Sequence, residues 1–111
     1  MAYDEDLANR IRELLAGEAG VTEKKMFGGL AFLIGGNMAM AASGQGGLMV
    51  RVPPEQTDEL VAKPHAQPFA MRGREMAGWL RVDDKGLRTK RELEPWVKRG
   101  FAYARSLPPK R

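Results

Sequence analysis

Lys25-Met26-Phe27-Gly28-Gly29-Leu30-Ala31-Phe32-Leu33-Ile34-Gly35-Gly36-Asn37-Met38-Ala39-Met40-Ala41-Ala42, followed after a glycine-rich gap by Leu48-Met49-Val50-Arg51-Val52, decides the fold. Apolar runs of strand length, Lys25–Phe27, Leu30–Ile34, Met38–Ala42 and Leu48–Val52, alternate with turn residues. Seven glycines fall between Gly28 and Gly47. Gly28-Gly29 and Gly35-Gly36-Asn37 read as tight turns, because glycine and asparagine accept positive φ. Sequential short strands joined by such turns make an antiparallel meander. The same glycines do not form a nucleotide loop. No strand–loop–helix order surrounds them, and no Gly-Lys-Ser/Thr follows.

Upstream, Asp4 is a good N-cap, and Glu5 and Asp6 suit the positive end of a helix dipole. Leu7, Ile11, Leu14 and Leu15 recur at helical spacing, and Gly17 is a natural stop, so an amphipathic helix is expected over about 4–16. Downstream, Pro53-Pro54 ends the meander, and a short helix can run from Pro54 to about Val61, burying Leu60 and Val61. Lys63–Gly73 holds Pro64 and Pro68 and reads as a loop with some extended structure. Glu75–Val82 reads as a strand, with Met76, Leu80 and Val82 on one parity and Trp79 on the other. Asp83-Asp84-Lys85-Gly86 reads as a polar hairpin turn.

The last element is a helix whose apolar stripe is Leu93, Trp96, Val97, Phe101, Ala104 and Leu107. Thr89 and Glu92 have capping-box spacing. Pro95 disfavours helical geometry at Glu94, which predicts a preliminary turn at Thr89–Glu92 and a helix from about Glu94 to Ser106. Pro108-Pro109-Lys110-Arg111 reads as a frayed basic tail. The expected fold class is α+β: a two-layer arrangement, an antiparallel meander sheet with the N-terminal and C-terminal helices packed on one face.

The length of 111 residues suits one domain. The absence of cysteine excludes disulfides and thiolate metal sites and fits a reducing compartment. No stretch approaches the roughly 20 apolar residues of a membrane span. The acidic start, Asp4-Glu5-Asp6, is unlike a secretory signal, so the cytoplasm is the expected location. Charge is distributed unevenly. Residues 1–60 carry five Lys/Arg against nine Asp/Glu, whereas residues 61–111 carry thirteen against five. Such asymmetry fits an anionic partner, a solvated surface or attraction between two copies.

Candidate chemistry is sparse. His65, the single histidine, follows Pro64 in a loop with no Asp or Glu close by in sequence, and reads as a surface residue. Ser43 lies in no nucleophile motif and reads as a turn residue. Lys24-Lys25 before Gly28-Gly29 could grip an anion, though an edge strand blunted by lysines explains the pair more simply. Arg72 and Arg74 could bind phosphate or carboxylate, or simply be solvated. Trp79 could stack on a nucleobase, but Phe27, Phe32 and Trp79 together read as core. Met38, Met40 and Met49 read as adaptable core filling.

Met26-Phe27-Gly28-Gly29, Gly47-Leu48-Met49-Val50-Arg51-Val52, Gly73-Arg74-Glu75-Met76-Ala77-Gly78-Trp79 and the Trp96–Ala104 helix, taken in order, resemble the N-terminal domain of the TfoX/Sxy family of competence regulators. The resemblance implies an α+β fold with an antiparallel sheet and offers no catalytic residues. In full-length members this domain precedes a second, helical domain, and they act with a cyclic-AMP receptor-type activator at competence promoters. This sequence covers the first domain and is expected to act as a stand-alone copy.

The expected function is therefore a non-enzymatic regulatory or protein-interaction domain, without metal or cofactor. Its candidate surface comprises Lys24, Lys25, Gly28, Gly29, Arg72, Arg74, Lys90 and Arg91. A protein partner is expected, with the chain a monomer or homodimer. Any nucleic-acid binding through the basic half should be weak and sequence-independent. A small ligand-binding or catalytic domain is the remaining alternative.

Overall fold

A computed structural model describes residues 3–26, 28–71 and 73–109. Helix α1 spans Glu5–Leu14. The Asp4 carboxylate caps it, accepting from the Asp6 N–H (3.0 Å) and the Leu7 N–H (3.2 Å). Leu7, Ala8 and Ile11 form its buried stripe. Gly17 follows at φ +88°, the left-handed geometry that ends a helix.

Four meander strands follow: β1 (Val21–Met26), β2 (Gly29–Ile34), β3 (Asn37–Ala42) and β4 (Leu48–Arg51). Gly35 and Gly36 join β2 to β3 at φ +59° and +83°, as primed hairpin turns require. A turn at Pro54–Gln56 leads into α2 (Thr57–Val61), which buries Leu60. Strands β5 (Ala66–Met71) and β6 (Arg74–Val82) then form a hairpin. All six strands make one antiparallel sheet in the order β1-β2-β3-β4-β6-β5.

Three expectations need correction. First, Lys63–Gly73 is not mainly loop, since it contains β5. Pro68 is accommodated because β5 is an edge strand whose register shifts between Pro68 and Ala70. Second, Asp83–Gly86 is not a hairpin turn. Asp83 caps a 3-10 turn, Asp84–Gly86, that feeds the last helix. Third, α3 is continuous over Lys90–Ser106, with Pro95 inside it. Thr89 and Glu92 close the expected capping box at 3.1–3.2 Å. Pro95 removes only the donor to the Arg91 carbonyl, and Arg91 is exposed, where water can replace it.

The core lies between the helices and one face of the sheet. It joins Ile11, Phe32, Met40, Val50, Leu80 and Trp96, with their neighbours, in one cluster. Helix α3 approaches closely at Gly100, where a Cβ would stand 2.7 Å from the Ala39 carbonyl oxygen and 3.0 Å from Val50 Cγ2. Beyond α3, the buried Asn37 side chain donates to the Pro108 carbonyl (2.9 Å), tying the C-terminal segment to the start of β3.

Candidate functional site

The sheet's other face is built by the alternate residues of the same strands. Register places Lys24, Ala31, Ala41, Met49, Arg81 and Gln67 in one cross-strand row running over all six strands. Ala31 and Ala41 are 0% and 4% exposed. Ala41 forms part of the floor of a groove. The walls include Met26, Met38, Phe69, Met76 and Trp79, around a volume of about 520 Å³. No residue of the three helices lines it.

Among the described residues, Arg81 is the only charged residue lining this groove. Its Nη2 donates to the carbonyls of Gln45 (3.0 Å) and Gly46 (2.8 Å). Nη1 donates to Gln45 Oε1 (3.3 Å) and reaches Ser43 Oγ at 3.5 Å. The β3–β4 loop is thereby fastened to β6. Ser43 Oγ also accepts the Gln45 N–H (3.1 Å), so Ser43 is a turn residue, as expected. Arg81 takes part in no salt bridge among the described residues. Carbonyl dipoles hold the guanidinium in place but leave its charge unneutralised.

Trp79, expected in the core, is half-buried in the groove wall instead. The Arg51 guanidinium lies 5.5 Å from the centroid of its ring and 5.5 Å from that of Tyr103, a cation–π bridge that occupies a face of the indole. Met38 and Met49 also line the groove, so of the three methionines expected in the core only Met40 is fully buried. The physical reason is the period of two: β3 and β4 present successive side chains to opposite faces, and only one face is covered. Phe27 lies outside the described residues.

The residues singled out from sequence are dispersed. Lys24 and Lys25 are exposed on the edge strand β1, with Lys24 in the same cross-strand row as Ala41 and Arg81. Gly28 turns at φ +76°, and Gly29 opens β2 and lines the groove. A Cβ on Gly29 would sit 2.5 Å from the Ala42 carbonyl oxygen. Arg74 is exposed at the start of β6, Arg72 lies outside the described residues, and Lys90 and Arg91 are exposed in the first turn of α3. Arg81, Met49 and Met76 were missed. Their signal is present: β2 and β3 are apolar on both parities, a pattern of strands buried on two faces, while the helices suffice for one.

His65 is exposed at φ +66°, its ring against Gly86 and its carbonyl accepting the Asp83 N–H (2.9 Å). Among the described residues no group of three His, Cys, Asp or Glu could hold a metal ion.

Residues 13–104 match the family model of the TfoX N-terminal domain. The chain belongs to the TfoX N-terminal domain family. The match runs from within α1 into α3 and so takes in every strand of this TfoX N-terminal domain and all the groove residues named above. No curated protein and no solved structure matches the chain. No described helix of the domain is long and apolar enough to cross a membrane.

Proposed function

We propose that this TfoX N-terminal domain is a non-enzymatic, regulatory binding module of the cytoplasm, and that the open face of its sheet is its recognition surface. One observation carries the reading: an apolar groove crosses a continuous sheet face that the domain's own helices leave bare. Methionine walls suit recognition, because unbranched thioether side chains repack around different shapes. Two polar side chains near the groove make local structural hydrogen bonds. Ser43 holds the β3–β4 turn, and Asp83 accepts the Lys85 N–H (3.3 Å). A transcription- or competence-linked role would follow the family and would operate through a protein partner.

The test is affinity capture from the native cell with three baits: wild type, Met49→Glu and the double variant Lys90→Glu/Arg91→Glu. Met49→Glu should lose the captured partner while its melting temperature stays near that of wild type. Retention of that partner by a folded Met49→Glu protein would overturn the reading.

The basic half favours a second mode, weak attraction to nucleic acid. Arg51 already occupies a face of Trp79, which leaves the sheet poorly suited to base stacking. Binding should therefore be independent of sequence and lost as salt rises, as fluorescence anisotropy on unrelated duplexes would measure. Lys90→Glu/Arg91→Glu should abolish the low-salt signal.

A further inference from the structure

We propose that the groove on the open sheet face binds a small amphiphilic carboxylate, its apolar tail laid across Ala41 and its head group at Arg81. The proposal rests on the reading that this face is a recognition surface, and it names the chemistry of the occupant.

Three observations select that chemistry. The first is size. A volume of about 520 Å³ falls within the roughly 300–1,000 Å³ typical of small-molecule sites. The second is polarity. The floor includes Ala41, which is nearly fully buried, and the walls are mainly methionine and aromatic side chains. Water gains little there, whereas a flexible alkyl chain can displace it and be followed by the methionines. The third is charge. Among the described residues, one guanidinium and no carboxylate line the groove. A lone cation at the end of an apolar trough complements a monoanion, and the planar guanidinium matches a carboxylate. A phosphate dianion would call for more cations than this lining supplies.

The surroundings of Arg81 support the assignment. Gln45 and Gly46 hold the guanidinium by their carbonyls, so it is positioned before any ligand arrives. Asp83 and Asp84 line a separate polar cavity of about 320 Å³, which Arg81 also borders. Neither forms a salt bridge with Arg81. Lys24 stands in the same cross-strand row, four strand spacings away, or about 19 Å at roughly 4.8 Å per strand. It is too distant to share a compact head group, which leaves Arg81 as the anchor among the described residues.

The experiment uses the full chain labelled with ¹³C at the methionine methyls. Decanoate is titrated below the concentration at which it forms micelles. The methyls of Met26, Met38, Met49 and Met76 should shift saturably, while that of Met40, buried on the other face, should not. Affinity should rise about fourfold for each methylene along hexanoate, octanoate and decanoate. Decanol, which lacks the charge, should bind at least tenfold more weakly. Arg81→Gln should erase the preference for decanoate over decanol, and Arg81→Lys should restore part of it. Because Arg81 also fastens a loop, Ala41→Leu gives a second variant: it fills the trough without touching the loop and should remove binding.

The absence of a saturable shift overturns the proposal. So does equal affinity for decanol, or retained binding by Ala41→Leu. Open-face methyls that shift on diluting the protein alone would assign the groove to a second copy of the chain instead. If decanoate fails to bind while Met49→Glu still abolishes partner capture, the ligand is wrong and the recognition surface stands. If decanoate binds while capture is indifferent to Met49→Glu, the site serves a small molecule and the protein-recognition reading falls.

Discussion

Met40 and Met49 sit one strand apart, on opposite faces of one sheet. Met40 faces the helices and is fully buried among Val50, Ala39 and Gly100. Met49 faces the groove between Ala41 and Arg81 and is half-buried. The two faces thus share a backbone, a hydrogen-bond ladder and even residue types, and they differ in what covers them. On the covered face, large side chains interlock with two helices, and volume is tightly constrained. On the open face, small floor residues and flexible walls leave room. Covering one face fulfils the folding requirement, so the second apolar face is available for binding.

The largest effect should come from the covered face. Trp96 is 6% exposed on the inner stripe of α3, with the Arg99 guanidinium 4.9 Å from its ring centroid. Trp96→Ala should cost about 3–5 kcal/mol, close to the whole stability of many small domains. Thermal or urea denaturation should find it largely unfolded. A melting temperature within a few degrees of wild type would mean that α3 does not hold the covered face together.

The matched methionines give the most direct test. Met40→Ala should destabilise by about 2–5 kcal/mol, because it leaves a cavity in a packed core. Met49→Ala should cost less, about 1 kcal/mol, since its side chain lines an open groove and leaves no closed cavity. Equal losses in urea titrations would break the distinction between the faces.

Much of this was legible in advance, and the exceptions are physically specific. The meander followed from its glycine spacing because positive φ at Gly35 and Gly36 is a local requirement. The caps of α1 and α3 were legible for the same reason: Asp4 and Thr89 act within three residues. Strand β5 was obscured by Pro68, which is tolerable only because tertiary structure places it on an edge beside a register shift. Pro95 misled in the same way, its lost hydrogen bond falling at an exposed position. The groove depended on long-range register, which sequence spacing does not fix. Lys24, Ala31, Ala41, Met49 and Arg81 form a row only once five strands are aligned. The basic residues that sequence did single out are set on separate elements by that same alignment.

Gly100 sharpens the comparison at smaller scale. In a helix interior, Gly→Ala ordinarily gains about 1 kcal/mol. Here the added methyl would meet the Ala39 carbonyl oxygen at 2.7 Å, and backbone cannot easily withdraw. Gly100→Ala should therefore be net destabilising, by about 1–2 kcal/mol. A gain in melting temperature would show that α3 has slack against the sheet.

The smallest effect concerns Glu23 and Lys24, neighbours on β1 that face opposite ways. Glu23 is opposite the core residue Phe32 and meets Arg12 of α1 in a bidentate pair, Nε–Oε2 at 2.7 Å and Nη2–Oε1 at 2.8 Å. Hydrogen bonding from Arg12 holds the Glu23 carboxyl below its ordinary range, desolvation opposes this, and the guanidinium charge adds to it. In the unfolded chain Glu23 returns to its ordinary value. On acidification the unfolded state therefore takes up its proton first. The pair's stabilisation is fully present above the unfolded carboxyl's range and is lost as pH falls through the lowered folded value. Both partners are substantially solvated, so the effect is small and screened by salt. Glu23→Gln should lower the melting temperature slightly at neutral pH and low salt. The difference should vanish in acid and shrink at high salt. Lys24 is opposite Ala31 on the groove side and enters no ion pair among the described residues, so Lys24→Gln should show no corresponding acid-side convergence. Differential scanning fluorimetry of both variants across acidic and neutral pH checks this. If Lys24→Gln reproduced the Glu23→Gln profile, the pH dependence would belong to general surface charge and not to the contact that joins α1 to the covered face.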